Sequence, residues 1–206
     1  MESLLDQSSL LLQQLVNGIT LGGVYALIAV GYTMVYGVIQ LINFAHGEIY
    51  MLGGFMAYTL VAVLGMPFFP AFILTLLICA LLGIILDFVA YRPLRKAPRL
   101  AALITAIGMS IFLQNMAMLV WGSQIKSYPR DILPLFFSES AITFGDVSLS
   151  WLQLFILAIT LTSMIILHLT IHKTRIGMAM RAISQDKTAS ALMGIGVNRV
   201  ISFTFA

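Results

Sequence analysis

The chain has 206 residues, of which 60% are apolar and only 9% charged, and its mean hydropathy is +1.01, whereas a soluble domain carries about 25% charged residues. A water-soluble globular domain, a disordered chain, a disulfide-stapled fold and ordinary nucleic-acid binding are excluded, because each needs polar bulk, several cysteines or a dense basic face. The net charge of +3 arises from few charges in all, so their positions carry more information than their sum.

The N-terminal tail holds Glu2 and Asp6, and the first Lys or Arg is Arg92. A secretory signal peptide needs positive charge ahead of its apolar core, so the segment that follows is expected to be a genuine membrane span. About 20 apolar residues cross the hydrocarbon core as a helix. By that measure five complete spans are predicted, at 16–39, 47–64, 69–90, 100–121 and 149–171, in an all-α polytopic membrane protein.

The weakly polar run from Leu10 to Ile42 would reach about 50 Å as one helix, longer than a core of about 30 Å, so it must tilt, kink or start at the interface. Gln13, Gln14 and Asn17 favour an interfacial start, and Gly31 and Gly37 are the expected places for a bend. Gly18 and Gly22 form a Gly-x-x-x-Gly pair, Gly23 follows, and Gly53, Gly54 and Ala57 line the second span; all are candidate helix-packing positions.

Between the first two spans lies Ile42-Asn43-Phe44-Ala45-His46-Gly47-Glu48, and Glu48 is the only formally charged residue between Gln7 and Leu86. An ionisable group at the membrane centre costs about 2.5–3.5 kcal/mol on insertion scales and tends to mark a pathway or a pair. Asn43, His46 and Glu48 are therefore pathway or gate candidates, with Asn43 expected to cap the second helix. The plainer alternative is an interfacial turn whose polar groups satisfy helix ends. Cys79 lies alone in the third span, and Asp87, near its end, is expected to snorkel or pair at the interface.

Arg92, Arg95, Lys96 and Arg99 follow the third span, and Lys173, Arg175, Arg181, Lys187 and Arg199 follow the fifth, together nine of the eleven positive residues. The loop after the fourth span has only Lys126 and Arg130, diluted by Asp131, Glu139 and Asp146. The bias predicts an external N-terminus and two cytoplasmic basic segments. His168 and His172 share a helix face at metal-ligand spacing, but no zinc motif surrounds them and interfacial anchoring is the simpler reading.

The segment 172–199 is read as a cytoplasmic element within the single domain. Ser184 is expected to N-cap a short helix, Asp186 to favour its positive end, and Gly194 to close it in the left-handed conformation. Such a helix either docks into a partner's groove or lies solvated on the membrane surface, and pattern alone favours the second. After Arg199 the chain turns apolar again for seven residues, expected to be a sixth span cut short in a fragment of a longer polypeptide. No phosphate-binding loop, dinucleotide, zinc-hydrolase or nucleophile-elbow pattern occurs, so no cofactor is expected and any ATP chemistry would belong to another subunit.

The stretch Tyr25–Gly37 followed by Ile42–Glu48, with Ala90-Tyr91-Arg92-Pro93, Ile104–Asn115 and Gly177–Ile195, closely resembles permease subunits of bacterial branched-chain amino-acid ABC importers of the LivH type. The resemblance covers almost the whole chain. It implies an inner-membrane permease that pairs with a second, related permease subunit, two ATP-binding subunits and a periplasmic solute-binding protein. It also implies that the segment after the fifth span docks on the ATPase, making Gly177, Arg181, Ala182, Asp186, Ala189, Leu192, Gly194 and Ile195 ATPase-coupling positions and reversing the preference from pattern. Relatives that carry urea or short amides share a similar turn and remain an alternative. A self-contained channel or secondary transporter, filtering at His46 and Glu48, and an intramembrane enzyme with His168 or Glu48 as a base are rivals from other classes.

Overall fold

The computed structural model describes residues 2–95, 97–128, 134, 137, 140–144 and 147–206, with the backbone alone at 2–8, 99 and 144. Lys96, Arg130, Asp131, Glu139 and Asp146, all part of the charge count, lie outside the described residues. The chain folds as α1 (Glu2–Ile39), α2 (His46–Tyr58), α3 (Phe68–Leu86), α4 (Arg99–Trp121), β1 (Ser140–Phe144), β2 (Val147–Ser150), α5 (Trp151–Lys173), α6 (Arg175–Gln185), α7 (Lys187–Leu192) and α8 (Val197–Phe205).

Among the described residues four helical stretches are long and apolar enough to cross a membrane: Ser9–Ile39, Phe68–Tyr91, Leu100–Trp121 and Trp151–Lys173. Three of them match the predicted third, fourth and fifth spans to within two residues at each end. The predicted second span is not among the four, because α2 has 13 residues and continues only as a five-residue π-helical turn, Thr59–Val63. The fold is a helical membrane bundle. Large side chains along α3, such as Ile73, Leu77 and Leu81, are exposed, as expected where lipid or other subunits, not water, cover the helix.

The first helix departs from expectation. It runs unbroken through Gly31 and Gly37, and the break falls at Gln40, whose φ of 59° places a non-glycine residue in the left-handed region. Gly31 instead provides clearance: a Cβ there would stand 2.9 Å from His46 Nε2. Gln13 also does more than sit at an interface. Its Nε2 donates to the Ser148 carbonyl (3.1 Å) and its Oε1 accepts from the Ser148 amide (2.8 Å), so the side chain pairs with β2 as a strand would. The antiparallel β1–β2 hairpin is an addition to the all-α expectation. Ser150 ends it and opens α5 with a reciprocal capping box to Gln153.

Contacts between helix ends gather at one end of the bundle the C-terminal end of α1, the turn 40–45, the end of α3, the start of α4, and α6 to α8. The main core sits there, built from Val35, Ile39, Leu86, Tyr91, Met180 and Ile201 with their neighbours. Both basic segments lie at this end: the Arg95 guanidinium donates to Asn198 Oδ1 across α3 and α8. A smaller cluster of Leu60, Val61 and Ala71 joins α2 to α3 at the other end.

Candidate functional site: the membrane turn and the basic end

Asn43 is 2% exposed, but its side chain does not cap α2. The helix starts after Ala45 without a side-chain cap, and Asn43 Oδ1 accepts from the Tyr91 hydroxyl at 2.7 Å. The expected cap is corrected because Tyr91, on the neighbouring helix, occupies the acceptor. Asn43 Nδ2 is buried with no partner among the described residues, a donor whose desolvation costs about 1–3 kcal/mol. His46 packs edge-on to Tyr32 and lies over Gly31, on the α1 side of the turn.

Glu48 points elsewhere, toward α4. Its Oε1 accepts from Ser110 Oγ at 2.8 Å and from Gln114 Nε2 at 2.7 Å. Thus the three turn residues do not form one constellation: Asn43 and His46 face α1 and α3, and Glu48 joins Ser110 and Gln114. The sequence reading missed the last two because their partner lies 62 and 66 positions away.

Asp87 does not snorkel. It is 0% exposed and opens a π-helical turn, Asp87–Tyr91, that ends α3. The Arg95 guanidinium donates to both of its oxygens, at 2.6 and 2.7 Å, and Ser202 Oγ donates to Oδ2 at 2.7 Å. Pairing is therefore right in kind, with Arg95 as the partner; Arg92 lies over the Phe88 ring instead. The cluster binds the end of α3 to α8.

The segment after α5 forms three short helices. Asp186, not Ser184, is the N-cap of α7: its Oδ1 accepts from the amides of Thr188 (2.7 Å) and Ala189 (2.9 Å). Ser184 donates to the Arg181 carbonyl within α6, which runs on to Gln185 and so leaves no free helix start at Ser184. Gly194 has φ +84° and closes α7, the left-handed conformation expected of it. The Arg181 guanidinium donates to the Ile171 carbonyl and holds the α5–α6 corner. Gly177 makes that corner possible, since a Cβ would overlap the carbonyl oxygens of Thr170 and Ile171. Ala182 and Ile195 are half-buried and Ala189 is exposed, while Leu192 and Met193 are 84% and 83% exposed at the tip of α7. Two bonds connect this segment to the end of α1: Lys187 Nζ donates to the Ile39 carbonyl (2.8 Å) and Gln40 Nε2 to the Ser184 carbonyl (3.0 Å).

Of the packing glycines, Gly53 lies against Cys79, where a Cβ would come within 2.9 Å of Sγ, and Gly23 lies against Leu157 and Thr160 of α5. Gly18, Gly22 and Gly54 have open space beside them. His168 and His172 stack at 4.3 Å, and among the described residues no group of three His, Cys, Asp or Glu side chains could hold a metal ion.

Residues 14–206 match the family model described as the branched-chain amino acid transport system / permease component. The chain belongs to this permease family. It is 46% identical over 202 residues to the high-affinity branched-chain amino acid transport system permease protein BraD of Pseudomonas aeruginosa, covering 94% of this chain and 66% of that protein. It is 42% identical over 208 residues to the corresponding LivH of Salmonella typhimurium and 41% over 211 to that of Escherichia coli, each match covering 97% of this chain and 67% of the relative. The permease chain thus spans about two thirds of the length of these relatives. No solved structure matches it.

For the permease, the residues that sequence reasoning overlooked are Ser110, Gln114, Asn198 and Ser202, and Arg95 was read for its charge but not for its pairing with Asp87. Ser110 and Gln114 did carry a signal, being polar and four apart in an apolar span, the spacing that puts both on one helix face.

Proposed function

We propose that this chain is the permease subunit of an ATP-driven importer that moves branched-chain amino acids from a periplasmic binding protein into the cytoplasm. It works in the bacterial inner membrane with a second, related permease subunit and two ATP-binding subunits that hydrolyse the nucleotide. The permease contributes path and lever and performs no bond chemistry. Its N-terminus lies on the periplasmic side and its basic end in the cytoplasm, in keeping with the charge bias.

The observation that carries this reading is the construction of the segment 175–196. A capped helix projects two bare apolar side chains, Leu192 and Met193, from the basic end. Behind that tip, Lys187 and Gln40 connect to α1, and α8 connects to α3 through Asn198, Ser202, Arg95 and Asp87. A push on α7 by an ATP-binding subunit would therefore reach two membrane helices as one packed element, a rigid-body switch. Gly177, Arg181, Ala182, Asp186, Ala189, Leu192, Gly194 and Ile195 are proposed as coupling positions, and Asn43, His46 and Glu48 as pathway or gate positions.

Affinity capture of the full-length protein from native membranes tests the assembly. Co-purification of an ATP-binding subunit and a second permease, with ATP-dependent leucine uptake by the reconstituted complex, is the expected result. Recovery of the chain alone, with uptake independent of ATP, would establish a self-contained channel or secondary transporter in its place.

A further inference from the structure

The face of α2 and α4 that carries Glu48 cannot be lipid-facing. Ser110 is the middle residue of α4, with eleven helical residues on either side, or about 16 Å to each end. The Glu48 carboxyl bonded to it therefore lies near the centre of the bilayer, and exposed Gln114 and Asn115 extend the polar surface one turn further. Along α3, by contrast, Ile73, Leu76, Leu77 and Leu81 present an apolar exposed face. Carboxyl and amide groups at that depth belong against protein or a water-filled cavity.

The carboxyl is also only half used. Both neighbouring donors converge on Oε1, which fixes the rotamer, while Oε2 accepts no hydrogen bond among the described residues. Nor does any described Lys, Arg or His side chain pair with Glu48. A held acceptor with one free oxygen at mid-membrane is suited to a cationic nitrogen that arrives and leaves. It is less suited to a permanent structural role.

We propose that Glu48 receives the α-ammonium group of the transported amino acid, on a face of α2 and α4 that lines the transport path, with Ser110 and Gln114 as positioning residues. This assignment rests on the reading of the chain as an amino-acid permease subunit. It goes further by naming the recognised group and the two residues that position its acceptor, Ser110 and Gln114, which neither Asn43 nor His46 contacts through a hydrogen bond among the described residues.

The test is equilibrium dialysis on the full-length permease assembled with its partner subunits in nanodiscs, without binding protein. Three labelled ligands are compared: leucine, 3-methylbutylamine, which keeps the ammonium group and lacks the carboxylate, and 4-methylpentanoate, which does the reverse. Glu48→Gln, nearly isosteric and still able to accept from Ser110 and Gln114, should weaken leucine and the amine by about tenfold or more and leave the acid within about twofold; Glu48→Asp should recover part of the loss. Equal weakening of all three ligands, or of none, overturns the assignment while leucine transport by the wild type leaves the permease reading standing. A Glu48→Gln complex that sheds a partner subunit, with Glu48→Asp restoring it, marks an ion pair between subunits and also overturns it. A wild-type complex that neither binds nor transports leucine refutes the function and this assignment together.

Discussion

Arg95 grips Asp87 through both carboxylate oxygens, at 2.6 and 2.7 Å, and Asp87 has no exposed surface. Removing one member leaves a buried charge unpaired, which costs about 3–5 kcal/mol, whereas replacing both by apolar groups costs far less. Asp87→Ala and Arg95→Ala should each lower the unfolding temperature of the purified full-length complex sharply. The double variant should recover much of the loss. A thermal-shift double-mutant cycle checks this, and additive losses would show that the two residues do not act as a pair.

Asp186 and Gly194 hold the two ends of α7, Asp186 by accepting from the amides of Thr188 and Ala189 and Gly194 by its left-handed backbone. Asp186→Ala removes an N-cap that contributes about 1 kcal/mol, and Asp186→Asn preserves it. Gly194→Ala forces a Cβ into the left-handed region at a cost of about 1 kcal/mol. Asp186→Ala and Gly194→Ala should uncouple the full-length complex, so that leucine taken up per ATP hydrolysed falls while the protein still inserts in the membrane; Asp186→Asn should stay close to wild type. Parallel uptake and phosphate-release assays give the ratio. Unchanged coupling in both damaging variants would remove α7 from the transmission path.

Gly177 and Gly54 make a matched pair of tests. A Cβ at Gly177 overlaps two carbonyl oxygens of α5, so Gly177→Ala must open the α5–α6 corner and should cost about 1–3 kcal/mol, read as reduced membrane yield and a lower unfolding temperature. Gly54→Ala meets nothing within 4 Å among the described residues and should leave the isolated subunit's stability unchanged. If Gly54→Ala instead weakens recovery of a second permease, that face of α2 is a subunit contact.

Gln13 supplies the two bonds that tether β2 to α1. Gln13→Leu should release the hairpin, at about 1 kcal/mol for each net hydrogen bond lost. Hydrogen exchange should quicken at the Ser148 amide, while the amides in the middle of α5 stay protected. Equal protection in both proteins would mean that the β1–β2 pairing alone holds the strand.

The correct and incorrect readings divide along a physical line. Helix termini governed by neighbouring residues were legible: the spans around α3, α4 and α5, and the left-handed Gly194. The Asn43 cap failed because a tyrosine 48 positions away took its acceptor. The bend expected at Gly31 or Gly37 failed because those glycines serve clearance or open space, and the break fell on Gln40, which no propensity marks. The hairpin was missed although Gly145-Asp146 stands between two short alternating runs, a usable turn signal overshadowed by the apolar spans on either side.

By itself the sequence determined that this chain is a helical membrane protein, where three of its long helices, α3, α4 and α5, lie, which two segments share an end, and that Glu48 stands alone in an apolar expanse. These follow from length, hydropathy and charge, which are sums over neighbouring residues. Only the tertiary structure decided that Glu48 meets Ser110 and Gln114, that Asp87 chooses Arg95 and Ser202 over Arg92, and that α7 is bonded to the end of α1 while α8 is bonded to the end of α3. Those pairings depend on the depth and rotation at which one helix packs against another, which are set by the whole interface and not by any residue within the segment.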